Sequence, residues 1–421
     1  MEGEYRKSVL PNGIRLVTER MPHVRSVAAG IWVETGSRHE PEGRSGVSHF
    51  IEHLVFKGTE TRTAEEIARA VDSVGGQMDA FTSKEYTCFY VNVLDQHVPL
   101  AVDLLADILL HARFATEDIE REKTVVLQEF RMVEDTPEDL IHDLFARRIW
   151  PDHPLGRPIL GSRDVVLGLG REAILAHFAE EYCPSRITIA VAGRVDHDRL
   201  VDLFLPRFEG FSRRTVHRDG LPPVLTPQVD VVAKPLEQVH FVLGLPGFHH
   251  TAPERYALYL LNTILGGGMS SRLFQEVRER QGLVYSIYSG SAAFRDAGLL
   301  YIYAGTEAAH FPKVLRLVLD ELARLRDKGI TEDELVRSRE HLKGNLMLSL
   351  ESTSSRMNRL AKQEIYFGQL FSLDEILAAV DAVTVEEVGR LIERLVVERD
   401  LSLVALGPLE PGSLARPSLT L

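Results

Sequence analysis

The sequence predicts an α+β protein of two structurally similar domains, each with a mainly antiparallel sheet and helices packed on one face. Three observations lead to this prediction. The chain has 421 residues, which is too long for one ordinary core. The same order of predicted helices and strands occurs twice along it. The tripeptide Thr-Glu-Asp also occurs at the matching place in each half, at residues 116–118 and 331–333.

Alternating apolar residues predict strands in each half, and apolar residues three and four positions apart predict helices. Thr116 and Thr331 are good N-caps, and the acids after them favour the first turn of a helix. The first half predicts a strand at 27–36, helices around His49 and at 64–76, a strand at 87–94, helices at 99–110 and from Thr116, and a β-rich run at 187–195. The second half predicts a strand at 240–247, helices at 255–268 and 271–282, strands at 284–294 and 298–305, helices at 311–325 and from Thr331, and a β-rich run at 401–409.

We interpret this repeated order as a duplication of one unit. It predicts an N-terminal domain at residues 1–212 and a C-terminal domain at residues 229–421. The segment between them, 213–228, is rich in proline and charge and shows no periodicity, so we expect an extended linker.

The composition limits the classes of protein to which this chain can belong. The contents of 44% hydrophobic and 26% charged residues are those of a globular protein, and the net charge of -13 argues against a nucleic-acid partner. Cys88 and Cys183 are the two cysteines, too few for a disulfide framework. The sequence contains neither a secretory signal pattern nor an apolar run of about 18 residues that could cross a membrane. We therefore expect a cytoplasmic protein without a membrane partner.

A cluster of chemically active residues lies in "VSHFIEHLVF", residues 47–56. On a helix, His49 and His53 project from one face a turn apart, which lets two imidazoles reach one metal ion. Glu52 between them completes the inverted zinc-peptidase pattern H-x-x-E-H. The alternative is an amphipathic helix whose polar residues face solvent, so the metal hypothesis needs a third ligand.

Glu129 is the best candidate for that ligand. Glu122 and Glu129 are seven residues apart on the helix that follows Thr116, so both point the same way. Glu129 stands among apolar residues, where an unpaired carboxylate is costly. A salt-bridged or solvent-facing carboxylate fits the spacing equally well. However, aligning Thr116 with Thr331 places Arg337 and Gly344 opposite the two acids, which indicates that the acids serve a site in the first half only.

Taken together, these residues resemble the pitrilysin/insulinase family of inverted-motif zinc metallopeptidases, in particular its half-length branch of mitochondrial processing peptidase and bacterial relatives. The 75 residues between His53 and Glu129 fit the family spacing, and "LGRPILG" and "GGGMSSRLFQEVRERQGLVYS" are further similar blocks. The resemblance implies that His49, His53 and Glu129 bind one Zn²⁺ per chain. It also implies that Glu52 is the general base and that Glu122 orients a ligand or the substrate.

The resemblance extends to Arg278 and Tyr285, which match an Arg/Tyr pair that contacts substrate near the metal. Without it, they would be an ordinary Arg on a helix surface and an ordinary Tyr in a strand. In the family this pair comes from a different half of the assembly, which implies a homodimer in which each subunit completes the site of its partner.

The stretch 75–94 resembles the edge strand on which family members bind an extended peptide as an added strand. The substrate-binding residues implied there are Asp79, Ala80, Phe81 and Thr82. Asp79 replaces a usual Asn and adds negative charge, which favours basic peptides. Arg186 also replaces a common Asn, without an assigned consequence.

The sequence thus predicts a zinc endopeptidase that cuts peptides or short unfolded segments in a closed chamber. One alternative is a non-catalytic scaffold subunit of the same fold. The other is one half of an obligate heterodimer with an unlike chain.

Overall fold

The computed structural model of the chain describes residues 4–212, 220 and 222–421. Two mixed sheets with surrounding helices confirm the predicted α+β class. The first sheet has the spatial order β1-β2-β6-β3-β5-β4, with strands β1 (Glu4–Val9), β2 (Arg15–Arg20), β3 (Ser26–Val33), β4 (Gln77–Thr82), β5 (Thr87–Leu94) and β6 (Ile187–Gly193). The second has the order β7-β11-β8-β10-β9, with strands β7 (Val229–Ala233), β8 (Gln238–Pro246), β9 (Val284–Ala293), β10 (Gly298–Glu307) and β11 (Ser402–Gly407).

The α-helices among the described residues follow the sequence prediction closely where it was made. A π-helical segment, Phe274–Glu279, lies inside the predicted helix 271–282. The helices are α1 (Val47–Leu54), α2 (Ala64–Asp72), α3 (Val98–Leu110), α4 (Thr116–Asp135), α5 (Pro137–Ile149), α6 (Arg163–Gly168), α7 (Arg171–Glu181), α8 (His197–Phe208), α9 (Arg255–Gly266), α10 (Phe311–Lys328), α11 (Glu332–Ser349), α12 (Thr353–Phe367), α13 (Leu373–Ala382) and α14 (Val385–Leu395).

Both sheets are mainly antiparallel, and each has one parallel pair. In the first sheet β2 runs parallel to β6, and in the second β11 runs parallel to β7. Strands β4 and β9 each form one edge of their sheet. An edge strand has unpaired backbone groups on its outer side, where a further strand can be added.

The chain divides into two compact units that each combine distant segments. Unit 1 consists of Met1–Arg131, Arg157–Gly220 and Ser349–Ser372, and unit 2 of Met132–Gly156, Leu221–Leu348 and Leu373–Leu421. The predicted halves, 1–212 and 229–421, assign the strands to the same two groups. They do not predict that residues 132–156 belong to unit 2 or that residues 349–372 belong to unit 1. Of the predicted linker 213–228, residues 213–219 and 221 lie outside the described residues, and the rest has no helix or strand.

In unit 1, helices cover both faces of the sheet. The predicted helices α1 and α3 pack with α7 and α8 on one face around a buried apolar core. The opposite face carries α12, whose Met357 and Leu360 pack on Trp32, a contact that the sequence pattern did not predict. A Cβ at Gly30 of β3 would lie 2.8 Å from Met357 Sδ, so glycine lets the helix approach the strand closely.

Unit 2 repeats this arrangement with another helix. Helices α9, α10 and α14 pack on one face of the second sheet. The other face carries α5, with Ile141 and Phe145 packed on Val242 and Val404. Here a Cβ at Gly244 of β8 would lie 2.3 Å from Phe145 Cζ, so each sheet has a glycine beneath its extra helix.

Among residues 4–212, 220 and 222–421, no helix combines the length and the apolar character that crossing a bilayer requires.

Candidate metal centre

Helix α1 separates an apolar side from a side that carries imidazoles and a carboxylate. Val47, Phe50, Ile51 and Leu54 are buried in the core of unit 1. Of the remaining positions, Ser48 is buried, and His49, Glu52 and His53 are partly exposed. The hydrophobic effect therefore fixes which way the polar side chains face.

The N-terminus of α1 is held by residues that the sequence reasoning missed. Gly46 has a φ of 92°, and a Cβ there would lie 2.4 Å from Leu160 O, so the position requires glycine. The buried carboxylate of Glu40 accepts hydrogen bonds from the N–H groups of Gly46 (2.6 Å) and Ser48 (2.8 Å). Leu160 belongs to the "LGRPILG" block, so this block helps to place α1.

Three side chains from α1 and α4 converge at the centre of the site. His49 Nε2 lies 3.4 Å from Glu129 Oε2, and His53 Nε2 lies 3.4 Å from Glu129 Oε1. One ligand atom from each of the three residues lies within 4.8 Å of the other two. Ligand atoms at about 2.0–2.1 Å from a tetrahedral zinc would be about 3.3 Å apart, which is close to the 3.4 Å between each imidazole and one oxygen of Glu129.

The lowered pKa of His49 and the unpaired oxygen of Glu129 also fit a bound cation. Burial and the neighbouring His53 lower the pKa of His49 to about 3, which keeps its imidazole neutral and able to bind a metal. Burial raises the pKa of Glu129, against the attraction of His53. Glu129 Oε2 is buried without a hydrogen-bond partner among the described residues. A cation bound there would remove the cost of this buried oxygen.

Glu52 lies beside this cluster and is held by the edge strand. Thr82 Oγ1 of β4 donates a hydrogen bond of 2.5 Å to Glu52 Oε2. Burial raises the pKa of Glu52, while the Thr82 hydrogen bond opposes the shift. The sequence suggested Thr82 as a substrate contact, and in the structure it orients the candidate general base.

Glu122 lies behind His53 rather than among the three converging side chains. Its Oε2 is 3.3 Å from His53 Nδ1, and its Oε1 is 2.8 Å from Lys57 Nζ. Sequence reasoning missed Lys57, because an ion pair between positions 57 and 122 has no local sequence signature.

The other residues suggested for substrate binding lie on β4, at the edge of the first sheet. Asp79 is exposed, Ala80 packs toward the main core, and Phe81 stacks edge-on against Trp32 at 5.5 Å between ring centres. A cavity of about 480 Å³ lies beside this strand. It is lined largely by apolar side chains, including Phe56, Ile67, Val71 and Met78.

Arg278 and Tyr285 belong to unit 2 and contact each other. The Arg278 guanidinium lies 5.1 Å from the centre of the Tyr285 ring. Arg278 is in the π-helical segment, and Tyr285, at the start of edge strand β9, is 81% exposed. π-Helical segments are frequent at functional sites. Their role toward substrate stays a prediction.

Two family models match this chain. The family model described as Insulinase (Peptidase family M16) matches residues 15–163, and the one described as Peptidase M16 inactive domain matches residues 168–342. A protein named an uncharacterized zinc protease from Streptomyces coelicolor is 42% identical over 98% of this chain and 92% of its own length. A protein of the same description from Bacillus subtilis is 42% identical over 94% of this chain and 97% of its own length.

Solved structures share the fold at lower identity. A peptidase M16 inactive domain from Pseudomonas fluorescens has a TM-score of 0.89 at 20% identity, and covers 97% of this chain and 98% of its own. A protease from Helicobacter pylori has a TM-score of 0.88 at 22% identity, and covers 97% of this chain and 100% of its own. At these identities the likeness shows the fold alone.

Proposed function

Because this chain belongs to the insulinase family of peptidases (family M16), we propose that it is a zinc-dependent endopeptidase acting on peptides or short unfolded segments. The observation that carries the proposal is the convergence of His49, His53 and Glu129, with the carboxylate of Glu52 beside them. The names of the relatives, as zinc proteases, support the choice of metal.

Two imidazoles and one carboxylate form one of the donor sets of catalytic zinc sites. His49, His53 and Glu129 would therefore hold the ion. When bound, zinc would supply a Lewis acid that polarises the scissile carbonyl and makes water in the site more acidic.

Glu52 would perform the proton transfers. Its carboxylate accepts a proton from the attacking water and later delivers it to the leaving amine. The hydrogen bond from Thr82 Oγ1 fixes one carboxylate oxygen and leaves the other available for this exchange. Burial, which raises the pKa of Glu52, also makes it a stronger base than an exposed carboxylate.

The edge of the first sheet supports a peptide substrate. An extended segment can pair with the outer side of β4 through main-chain hydrogen bonds, which depend little on side chains. The cavity beside β4 can take a side chain of that segment, and its lining favours an apolar one. Exposed Asp79 favours basic residues nearby.

We further propose a homodimer in which Arg278 and Tyr285 of one subunit complete the zinc site of the other. A guanidinium and a phenol suit the oxygen that becomes negative in the tetrahedral intermediate. Their contact with each other and the exposure of Tyr285 support a shared role at a surface. A cytoplasmic location remains a prediction from the sequence.

The first test pairs metal analysis with a quenched-peptide assay. We expect about one zinc per chain in the wild type and in Glu52→Gln. We expect cleavage by the wild type and none by the variant, because Glu52 moves protons and does not bind the metal. Glu120→Gln, an exposed change on α4, is the control and should cleave normally. Zinc without cleavage of any peptide in a diverse library would instead support the scaffold alternative.

The second test mixes two inactive proteins. Arg278→Ala retains the zinc residues, and Glu52→Gln retains the Arg/Tyr pair, so a mixed dimer has one intact composite site. After subunit exchange at equal amounts, about a quarter of wild-type activity should return. Absence of recovery in verified mixed dimers would contradict sharing. A monomeric mass that becomes active only with an unlike chain would support the heterodimer alternative.

A further inference from the structure

The second carboxylate of α4, Glu122, is almost completely buried and makes two contacts. Its side chain is 3% exposed, with Oε2 3.3 Å from His53 Nδ1 and Oε1 2.8 Å from Lys57 Nζ. A buried carboxylate is costly unless it is paired and hydrogen-bonded. Among the described residues, Lys57 is the one cation that pairs with it.

Lys57 is placed for this contact by the end of α1. It follows His53 by four residues, in a short 3₁₀ turn, Val55–Lys57, that continues the helix. Residues four apart lie on the same side of a helix, so Lys57 and His53 both reach α4. The Lys57 side chain remains 37% exposed, so it lies at the margin of the site.

The ion pair between Lys57 and Glu122 bears on how the ring of His53 is held. The ring directs Nε2 toward Glu129, at 3.4 Å, and Nδ1 toward Glu122. A histidine that binds a metal through one nitrogen donates a hydrogen bond from the other, and the acceptor fixes the tautomer and the orientation of the ring. Glu122 can serve as that acceptor only if its carboxylate is held in one orientation. Lys57 pairs with the other oxygen of this carboxylate, Oε1.

We propose that Lys57 is a positioning residue that fixes the carboxylate of Glu122, and through it the ring of His53, and thereby raises the affinity of the site for zinc. This inference rests on the proposed zinc function. Lys57 touches neither the converging ligand atoms nor Glu52, so it acts through Glu122 alone.

The same helix supplies a matched control. Lys123 is adjacent to Glu122 in sequence, is 11% exposed, and pairs with Glu120 at 2.7 Å. Its ion pair joins two residues of α4 and does not include Glu122. Loss of Lys123 therefore removes a lysine and an ion pair of similar length without releasing Glu122.

The experiment measures zinc affinity of the full-length, metal-free chain by competition with a chromophoric chelator. Lys57→Met should weaken zinc binding about 10- to 100-fold, the range typical for residues that orient a ligand. Lys57→Arg should recover most of this loss, and Lys123→Met should bind as tightly as the wild type. Thermal melting of the metal-free proteins shows whether each variant is folded.

Glu122→Gln provides a second measurement through a double-mutant cycle. If Lys57 acts through Glu122, the double variant should bind zinc no more weakly than Glu122→Gln alone. Additive losses, or wild-type affinity in folded Lys57→Met, would overturn the inference while leaving the proposed function intact. A wild type that binds no zinc would instead overturn the proposed function, and the inference with it.

Discussion

Helices α4 and α11 occupy matching places in the two halves of the chain. Of these two helices, only α4 carries carboxylates that face a pair of histidines. Glu122 and Glu129 of α4 lie 3.3 and 3.4 Å from His53. At the matching positions α11 has Arg337, which is 62% exposed and pairs with Asp333 of its own helix, and Gly344. Since α11 forms without the acids, the fold does not require them. The comparison assigns the acids of α4 to the site rather than to stability.

The largest expected effect comes from replacing Glu129, the acid that lies close to both histidines. Glu129→Gln should weaken zinc binding more than about 100-fold, beyond the loss typical for residues behind a ligand, and should abolish peptide cleavage. The melting temperature of the metal-free protein should stay level or rise, because the carboxylate, whose Oε2 is buried without a hydrogen-bond partner, is replaced by a neutral amide. Arg337→Gln in α11 is the control and should bind zinc normally. Tight zinc binding by Glu129→Gln would break the comparison.

The second prediction concerns Gly30 and Gly244, the glycines that lie beneath α12 and α5. Gly244→Ala should destabilise the protein by about 1–3 kcal/mol in denaturant unfolding, because the new methyl group meets the rigid ring of Phe145. Gly30→Ala should cost less, since the nearest atom belongs to the Met357 side chain, which can move aside, and Trp32 Nε1 lies farther away, at 3.1 Å.

A compensating change checks the cause of this difference. Phe145→Leu should relieve the Gly244→Ala variant and lower the stability of the wild type. If both alanines cost the same, or if Phe145→Leu brings no relief, the clash with the ring is not the reason.

The third prediction compares the first turns of α11 and α4 as the pH changes. Burial raises the pKa of Glu334, but hydrogen bonds from Arg272 and from the Thr331 N–H outweigh it and lower that pKa to about 2. A lowered folded pKa stabilises above the unfolded value, about 4.5, and this stability is lost as the pH falls toward 2.

Glu334→Gln should therefore cost about 2 kcal/mol at pH 7, an amount reduced for partial exposure of the group. The difference from wild type should shrink in urea unfolding measured at successively lower pH. Glu117→Gln, in the first turn of α4, should show a smaller difference at every pH. A Glu334 effect that does not change between pH 7 and 3 would contradict this assignment.

Much of the fold could be predicted from the sequence because local patterns carry it. The strand predicted at 87–94 is β5, and the helices predicted from Thr116 and Thr331 begin at Thr116 and Glu332. The side on which α12 and α5 pack could not be predicted. Apolar spacing shows that a helix has a buried face but does not show which sheet covers it. Gly30 and Gly244 were the available signals, since a glycine inside a strand often marks a close approach.

For the site, the internal repeat provided the strongest guide. It singled out Glu122 and Glu129, and the structure brings Glu129 together with His49 and His53. Glu40 and Lys57 had no such signal, because their partners are a backbone N–H and a carboxylate far along the chain. Thr82 was associated with the site, but its hydrogen bond to Glu52 depends on the approach of β4 to α1, which only the tertiary structure defines.

The position of α12 has a consequence for biosynthesis. Trp32, near the start of the chain, is covered by a helix that ends at Phe367. A nascent chain leaves the ribosome N-terminus first, so the first sheet must wait with one apolar face bare until most of the polypeptide has been made. Until α12 has been made, this apolar face stays exposed to solvent and prone to aggregation.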